Sequence, residues 1–284
     1  FATRELAILD YKLHRGQTSE GIYLDKAISI LSIANNITIK NPTFDKNNQE
    51  ERQTSADKMV ALMHWGRSGA GLLHSLIDGH PEVSTLPSIY FSEYFDHSTW
   101  EKIISNGWEE MIDRFMEMYE VLFDATSSVP IQSKSKKLLF NIGINEGMAD
   151  VGDQKNEILK VNKDLFREEL KRLMAYYNDL DAFLFFKLVH CACNVALNDN
   201  NSKNLIFYHI HNPDVYAKLN FVRFNPKTKW IVMVRDPLQS CESWIRKPLL
   251  KKNYFGVVSR IVAMLFEIDD CIYSRQRSIG VRLE

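Results

Sequence analysis

The sequence has no apolar run approaching the roughly 18 residues that cross a bilayer, and nothing in it resembles a signal peptide. No membrane span is expected in this segment. An excess of one charge is missing too. Lys and Arg number 35 against 36 Asp and Glu, a formal net charge of −1, so no global field recruits nucleic acid or an anionic membrane surface. An anionic ligand would have to be held locally, by a few basic groups and backbone amides. Cysteine is sparse. Cys191, Cys193, Cys241 and Cys271 fit neither a zinc-binding pattern nor a disulfide framework. The pair at 191 and 193 lies in an apolar stretch and reads as buried free thiols. No spacing of His, Asp or Glu demands a metal, and none is expected. The expectation is a protein of a reducing compartment, with the cytoplasm as its default location. The chain opens on Phe1 rather than Met and stops at Glu284 directly after a strand-like segment, so sequence beyond its ends is expected.

What is present is ordinary for a globular protein: 45% hydrophobic and 25% charged residues. A chain of 284 residues has room for one large domain, or for one domain and an accessory piece. Residues 4–15 and 21–36 read as two amphipathic helices around the polar turn Arg15-Gly16-Gln17-Thr18-Ser19. The polar stretch 45–58 reads as a linker. After it the pattern changes. Met59-Val60-Ala61-Leu62-Met63 suits a buried parallel strand. Further strands are expected at Leu205–Tyr208, Trp230–Val234 and Ile279–Leu283, with helical patterns over 70–79, 99–124, 164–177, 181–197, 238–250 and 254–277. Buried strands alternating with helices predict an α/β fold, a central parallel sheet flanked by helices. The expected organisation is a helical hairpin over 1–44, a linker over 45–58 and one domain over 59–284.

The sharpest local feature is His64-Trp65-Gly66-Arg67-Ser68-Gly69-Ala70-Gly71-Leu72-Leu73-His74, which joins the first strand to a helix. Its glycines permit positive φ angles and close approach of an anion to the backbone. A helix starting near Ala70 would aim unpaired N–H groups and its positive end at that anion. Arg67 adds a fixed charge. The lysine and hydroxyl that close the strict triphosphate-binding loop are missing after the last glycine. Taken alone, the turn is either a phosphate cradle or a structural turn without ligand.

A second signal is Lys229-Trp230-Ile231-Val232-Met233-Val234-Arg235-Asp236-Pro237, followed by Ser240, Ser243 and Trp244. Arg235 falls at the C-terminal end of a buried strand, where open α/β sheets bind ligands. Pro237 suits a first helical turn, which puts Ser243 nearly two turns in. An arginine fork and a serine hydroxyl converging from strand end and helix suit a terminal phosphate. The plainer alternative is an Arg–Asp pair that ends a strand.

Together these motifs resemble the sulfotransferases that use 3′-phosphoadenosine-5′-phosphosulfate (PAPS). Gly66-Arg67-Ser68-Gly69, Leu72-Leu73 and the later His80-Pro81-Glu82-Val83 are similar to the 5′-phosphosulfate-binding segment of the branch that includes tyrosylprotein and bacterial sulfotransferases. That branch carries Arg-Ser-Gly-Thr-Thr, whereas Ala70 and Gly71 stand here in place of the threonines. Arg235 and Ser243 match the arginine and serine that hold the 3′-phosphate. Softer echoes are His211-Asn212-Pro213 for a Lys-x-Pro turn, Asn225-Pro226 for a Phe-Pro pair, and Val281-Arg282-Leu283-Glu284 for a Val-Arg-Tyr-Glu strand. Ala27, Leu31 and Ala34 are spaced as in the second helix of a tetratricopeptide repeat, although a generic hairpin is the preferred reading.

The resemblance implies a P-loop-like nucleotide-hydrolase fold and transfer of a sulfuryl group from PAPS, leaving the desulfated product PAP. Gly66, Arg67, Ser68, Gly69, Ala70, Gly71, Leu72, Arg235 and Ser243 are the implied cofactor-binding residues. Arg67 is implied at the leaving group. Candidates for the general base are Glu93, Asp96, Glu82, His64, His74 and His80, with Glu93 favoured and His64 next. His80 is also expected to cap the helix ending near Gly79. Tyr90, Phe91, Tyr94, Phe95 and Trp100 would line an acceptor cleft or, more simply, pack in the core. The expected acceptor is a small molecule, carbohydrate or peptide. Two other functions are weighed: a binding module with a decayed site, and a nucleoside-triphosphate-dependent phosphotransferase.

Overall fold

Seven residues from Lys58 to His64 form strand β2, and the four from Ala61 to His64 are buried. That is the signature of a central strand covered on both faces. In the computed structural model of the chain, the described residues are 6, 9–10, 13–14, 22, 25–30, 37–45, 56–64, 68–87, 91, 94–95, 99–127, 150–199, 201–211, 215–246, 253–274 and 278–283. The elements follow in chain order. They are β1 (Ile39–Lys40), β2 (Lys58–His64), α1 (Ala70–Ile77), β3 (Val83–Ser84), α2 (Thr99–Ile103) and α3 (Met111–Met118). After them come α4 (Lys163–Met174), β4 (Asp179–Leu180), α5 (Ala182–Ala196), β5 (Leu205–His211) and α6 (Val215–Phe224). The last are β6 (Lys229–Arg235), α7 (Pro237–Ile245), α8 (Tyr254–Ser274) and β7 (Ser278–Leu283).

The α/β expectation holds: five strands form a parallel sheet in the order β3-β5-β2-β6-β7. From β2 the chain winds first to β3 on one side, and β5 then fills the place between them. β6 and β7 follow on the other side. The direction of winding therefore reverses between β2 and β6. These two strands pair with Val60 opposite Lys229 and Met63 opposite Val232.

The chain divides into two compact units, one of Phe1–Asn35, Met59–Ile77 and His209–Glu284, the other of Asn36–Lys58 and Asp78–Tyr208. In the first, Trp244 of α7 packs on Val257 and Ile261 of α8, and Phe221 of α6 meets Trp230 of β6 edge-on. The described residues of its N-terminal part at 6, 9–10, 13 and 25–30 are helical, and Ala27 is buried.

The second unit is built on aromatic rings. Phe91 stacks on Phe186 with centroids 5.5 Å apart, and Phe115 contacts Phe123, Phe166 and Phe185. Each such ring stabilises the fold by about 1.5–3 kcal/mol through burial. Tyr94 donates its hydroxyl to the Ala182 carbonyl at 2.6 Å, and burial raises its pKa well above the usual phenol range. Phe91, Tyr94, Phe95 and Trp100 are all buried. Of the two readings of this cluster, core packing is the one observed. β1 and β4 add a short antiparallel pair, Ile39 opposite Leu180.

Local chemistry sets the helix ends. Asn162 caps α4 by accepting the N–H groups of Asp164 and Leu165, and Asp181 caps α5 through Leu184. The continuous helix expected over 99–124 is instead broken into α2, α3 and a 3-10 turn at Glu120–Leu122. The cause is Ser105-Asn106-Gly107. Gly107 takes φ +88° and donates its N–H to the Ile104 carbonyl at 3.0 Å, a left-handed stop that other residues rarely adopt. Cys193 is buried and free, Cys191 and Cys241 half-buried and free. Burial pushes the Cys191 and Cys193 thiols up in pKa, away from reactivity.

Candidate functional site

Parallel pairing of β2 with β6 sends the chain off both strands at the same end of the sheet, and both belong to the first unit. Ligands of open α/β sheets bind beyond the carboxyl ends of the strands, where the winding direction reverses. His64 and Arg235, the last residues of these two strands, flank that position. Two sequence motifs far apart in the chain thus leave neighbouring strands.

The first turn leads through Ser68 and Gly69 into α1. Gly69 sits at φ +94°, a left-handed conformation that favours glycine. Its carbonyl accepts the Leu73 N–H at 3.2 Å, so it stands at the start of the helix. The N–H groups of Ala70, Gly71 and Leu72 precede the first intrahelical bond. Ser68 is only 4% exposed, and its hydroxyl is buried without a hydrogen-bond partner. Leaving such a donor unsatisfied costs about 1–3 kcal/mol. At Gly71 an added Cβ would meet open space.

The second turn closes on itself. Asp236 caps α7 by accepting the Gln239 N–H at 3.0 Å, and Pro237 opens the helix as expected. Arg235 ends β6, half-buried, with its Nε donating to the Gln239 Oε1 at 3.2 Å. Ser243 is half-buried in the second turn of α7.

Histidines form the third component. His64 ends β2 almost wholly buried, at 1% exposure. Its Nε2 lies 3.2 Å from His209 Nδ1, and His209 Nε2 lies 2.6 Å from His74 Nδ1 on α1. The sequence offers His64 and His74 as separate base candidates, and the contact that His209 makes with both is not legible in it. The readable part of the signal was period two in β5, which places His209 and His211 on one face of the strand.

Other base candidates are engaged elsewhere. His80 does not act through a cap on the preceding helix. Its Nδ1 accepts the Glu82 N–H at 3.1 Å and shapes the following turn, while its carbonyl accepts from Lys203. Glu82 Oε1 accepts from the Asn204 side chain at 3.1 Å. Gly66, Arg67, Tyr90, Glu93 and Asp96 lie outside the described residues, as does the side chain of His211. Among the described residues, no cluster of His, Cys, Asp or Glu is arranged to hold a metal ion, and no helix is long and apolar enough to cross a membrane.

No protein-family model matches this chain, and no curated protein matches it. Its functional reading rests on its own residues.

Proposed function

We propose that this chain is a PAPS-dependent sulfotransferase that moves a sulfuryl group to a hydroxyl or amine acceptor by in-line displacement. The observation that carries this reading is the orphaned hydroxyl of Ser68, buried beside the left-handed Gly69 at the start of α1. A donor without an acceptor fits an anionic group at that spot, and a helix N-terminus favours the same charge. PAPS, when bound, supplies the activated sulfuryl group and its phosphate leaving group.

The chain's own residues supply the rest. The Ser68 hydroxyl and the first N–H groups of α1, with Gly66, hold the 5′-phosphate. Arg235 and Ser243 hold the 3′-phosphate. Arg67 stabilises the negative charge that builds on the leaving oxygen, a role suited to a group that stays protonated. Glu93 and His64 are the proposed acceptors of the substrate's proton. On this reading the sheet is the P-loop-like sheet of that family, and the N-terminal segment is its accessory helical hairpin. The acceptor is a small molecule, carbohydrate or peptide in a reducing compartment such as the cytoplasm.

One observation favours a second reading. Ala70 and Gly71 lack the hydroxyls that the resembled family places there, as expected of a sulfotransferase-like binding module that no longer turns over. Calorimetry of the chain with PAP, and with ATP and magnesium, tests both readings. A transfer assay with radiolabelled PAPS on phenol, sugar and tyrosine-peptide acceptors completes the test. Tight PAP binding with transfer supports the enzyme. PAP binding without transfer to any acceptor assigns the module. Binding of ATP with magnesium in preference to PAP would overturn both.

A further inference from the structure

Three imidazoles of the first unit touch in series. The Nδ1 of His209 faces His64 Nε2 at 3.2 Å, and its Nε2 faces His74 Nδ1 at 2.6 Å. The rings of His64 and His209 stand at 88°, those of His74 and His209 at 53°. A neutral imidazole has one N–H donor and one bare acceptor nitrogen. Each N···N contact needs one proton, so the chain has two neutral arrangements. In one, His64 donates to His209 and His209 donates to His74. In the other, every donation is reversed.

Imidazole differs here from an amide or a hydroxyl. Asn and Gln have fixed donor and acceptor ends, whereas a histidine ring exchanges its two by accepting a proton on one nitrogen and releasing one from the other. The nitrogens also pair two by two instead of converging on one point, so the cluster is no metal seat. The ends of the series differ in surroundings. His64 is buried at the end of β2, and His209 is buried as well. His74 is half-buried on α1, where Leu72, Ser75 and Leu76 are exposed.

We propose that His64, His209 and His74 form a proton relay from the buried end of β2 to the exposed flank of α1. A proton arriving at His64 Nδ1 releases the Nε2 proton to His209 Nδ1. His209 passes its Nε2 proton to His74 Nδ1, and His74 releases its own from Nε2. One proton enters, one leaves, and the series has moved from the first arrangement to the second. Rotation of the rings, or passage of a proton back, resets it. The relay runs through these three rings and the two contacts between them. Its use in turnover rests on the sulfuryl-transfer reading, in which a proton taken from the acceptor leaves the site through His74.

Solvent exchange of the His64 ring proton tests the relay, read by NMR on ¹⁵N-histidine-labelled chain at fixed pH. The variant His74→Gln keeps a polar side chain but cannot pass a proton on. It should slow the exchange by at least about tenfold, because exchange must then wait for local opening. A merely structural role has the opposite sign, since lost packing speeds opening. Unchanged or faster exchange in a folded His74→Gln overturns the proposal. His209→Gln breaks the series at its middle, must give the same slowing, and decides the matter if His74→Gln loses its fold. Calorimetry with PAP on the same samples separates the two claims. Slowed exchange without PAP binding keeps the relay and removes its use in sulfuryl transfer. PAP binding with exchange that is not slowed removes the relay alone.

Discussion

Two strand-to-helix turns leave the same end of the sheet, and they treat their polar groups in opposite ways. After β6, Asp236 caps its own helix, and Arg235 rests against Gln239 in the first turn of α7. After β2, Ser68 keeps a buried hydroxyl with no partner next to the left-handed Gly69. The Asp236 cap satisfies a backbone donor of its own helix and so serves stability. On the sulfotransferase reading, the 5′-phosphate answers the donor that Ser68 leaves open. Stability should therefore depend on the Asp236 cap, and affinity on Ser68.

Another orphaned atom sharpens the contrast. In the second unit, Ser84 Oγ donates to Asn194 Oδ1, so its contact with His190 Nδ1 at 2.9 Å is a donation from the imidazole. That leaves His190 Nε2 bare and buried without a partner. The ring lies among Phe91 and Phe186, and no motif leads to it. Burial lowers its pKa from 6.5 to about 3. Here the orphan reflects a core histidine held neutral, so its consequence is acid sensitivity.

The largest expected effect follows from that histidine. Between pH 6.5 and about 3 the unfolded chain binds a proton at His190 that the folded chain refuses. Its contribution to stability is complete above that window and is lost as the pH falls through it, at about 1.4 kcal/mol per unit. Denaturant titrations across this range should show a steep acid loss that His190→Phe reduces. An equal loss in that variant would remove the assignment.

Next in size, Arg67→Ala should lower transfer by about 10²–10³-fold, as removal of an oxyanion donor does, with the circular dichroism of the parent. Retained turnover would take the leaving-group role from Arg67. Ser68→Ala is predicted to weaken PAP binding by about tenfold or more, the loss of one hydrogen bond to a charged group. The same change should leave the unfolding midpoint equal or higher, since it deletes an unsatisfied donor. Lowered stability with unchanged affinity would make Ser68 structural.

Gly71→Thr runs the other way. An added Cβ meets open space, and glycine inside a helix costs about 1 kcal/mol relative to alanine. Calorimetry should find tighter PAP binding and a raised melting temperature. The smallest effect belongs to the self-capped turn. Asp236→Ala should cost about 1 kcal/mol of stability and leave PAP affinity unchanged. A large affinity loss there would erase the distinction between the turns.

Much of this frame is legible in the sequence. Continuous apolar runs announce β2 and β6, because a strand covered on both faces has no polar side to alternate. The glycines after His64 and the proline after Asp236 mark where each helix begins. The two-residue strands β1, β3 and β4 are too short to carry a period. The stop at Gly107 hides inside an amphipathic pattern that continues across it. His64, His74 and His209 meet only because β5 comes to lie beside β2, which no local signal conveys. The state of Ser68 is likewise a tertiary fact: the sequence shows a hydroxyl in a glycine turn, and only the folded chain shows that nothing answers it.

On the sulfotransferase reading, one nucleotide joins the two turns, its 5′ end at Ser68 and its 3′ end at Arg235. Affinities of the parent, Ser68→Ala and Arg235→Ala for PAP, adenosine 5′-phosphate and adenosine 3′-phosphate test it directly. The prediction is a crossed pattern. Ser68→Ala should weaken PAP and the 5′-phosphate but spare the 3′-phosphate, while Arg235→Ala should weaken PAP and the 3′-phosphate but spare the 5′-phosphate. Losses that ignore which phosphate is present, or no loss at all, would contradict it.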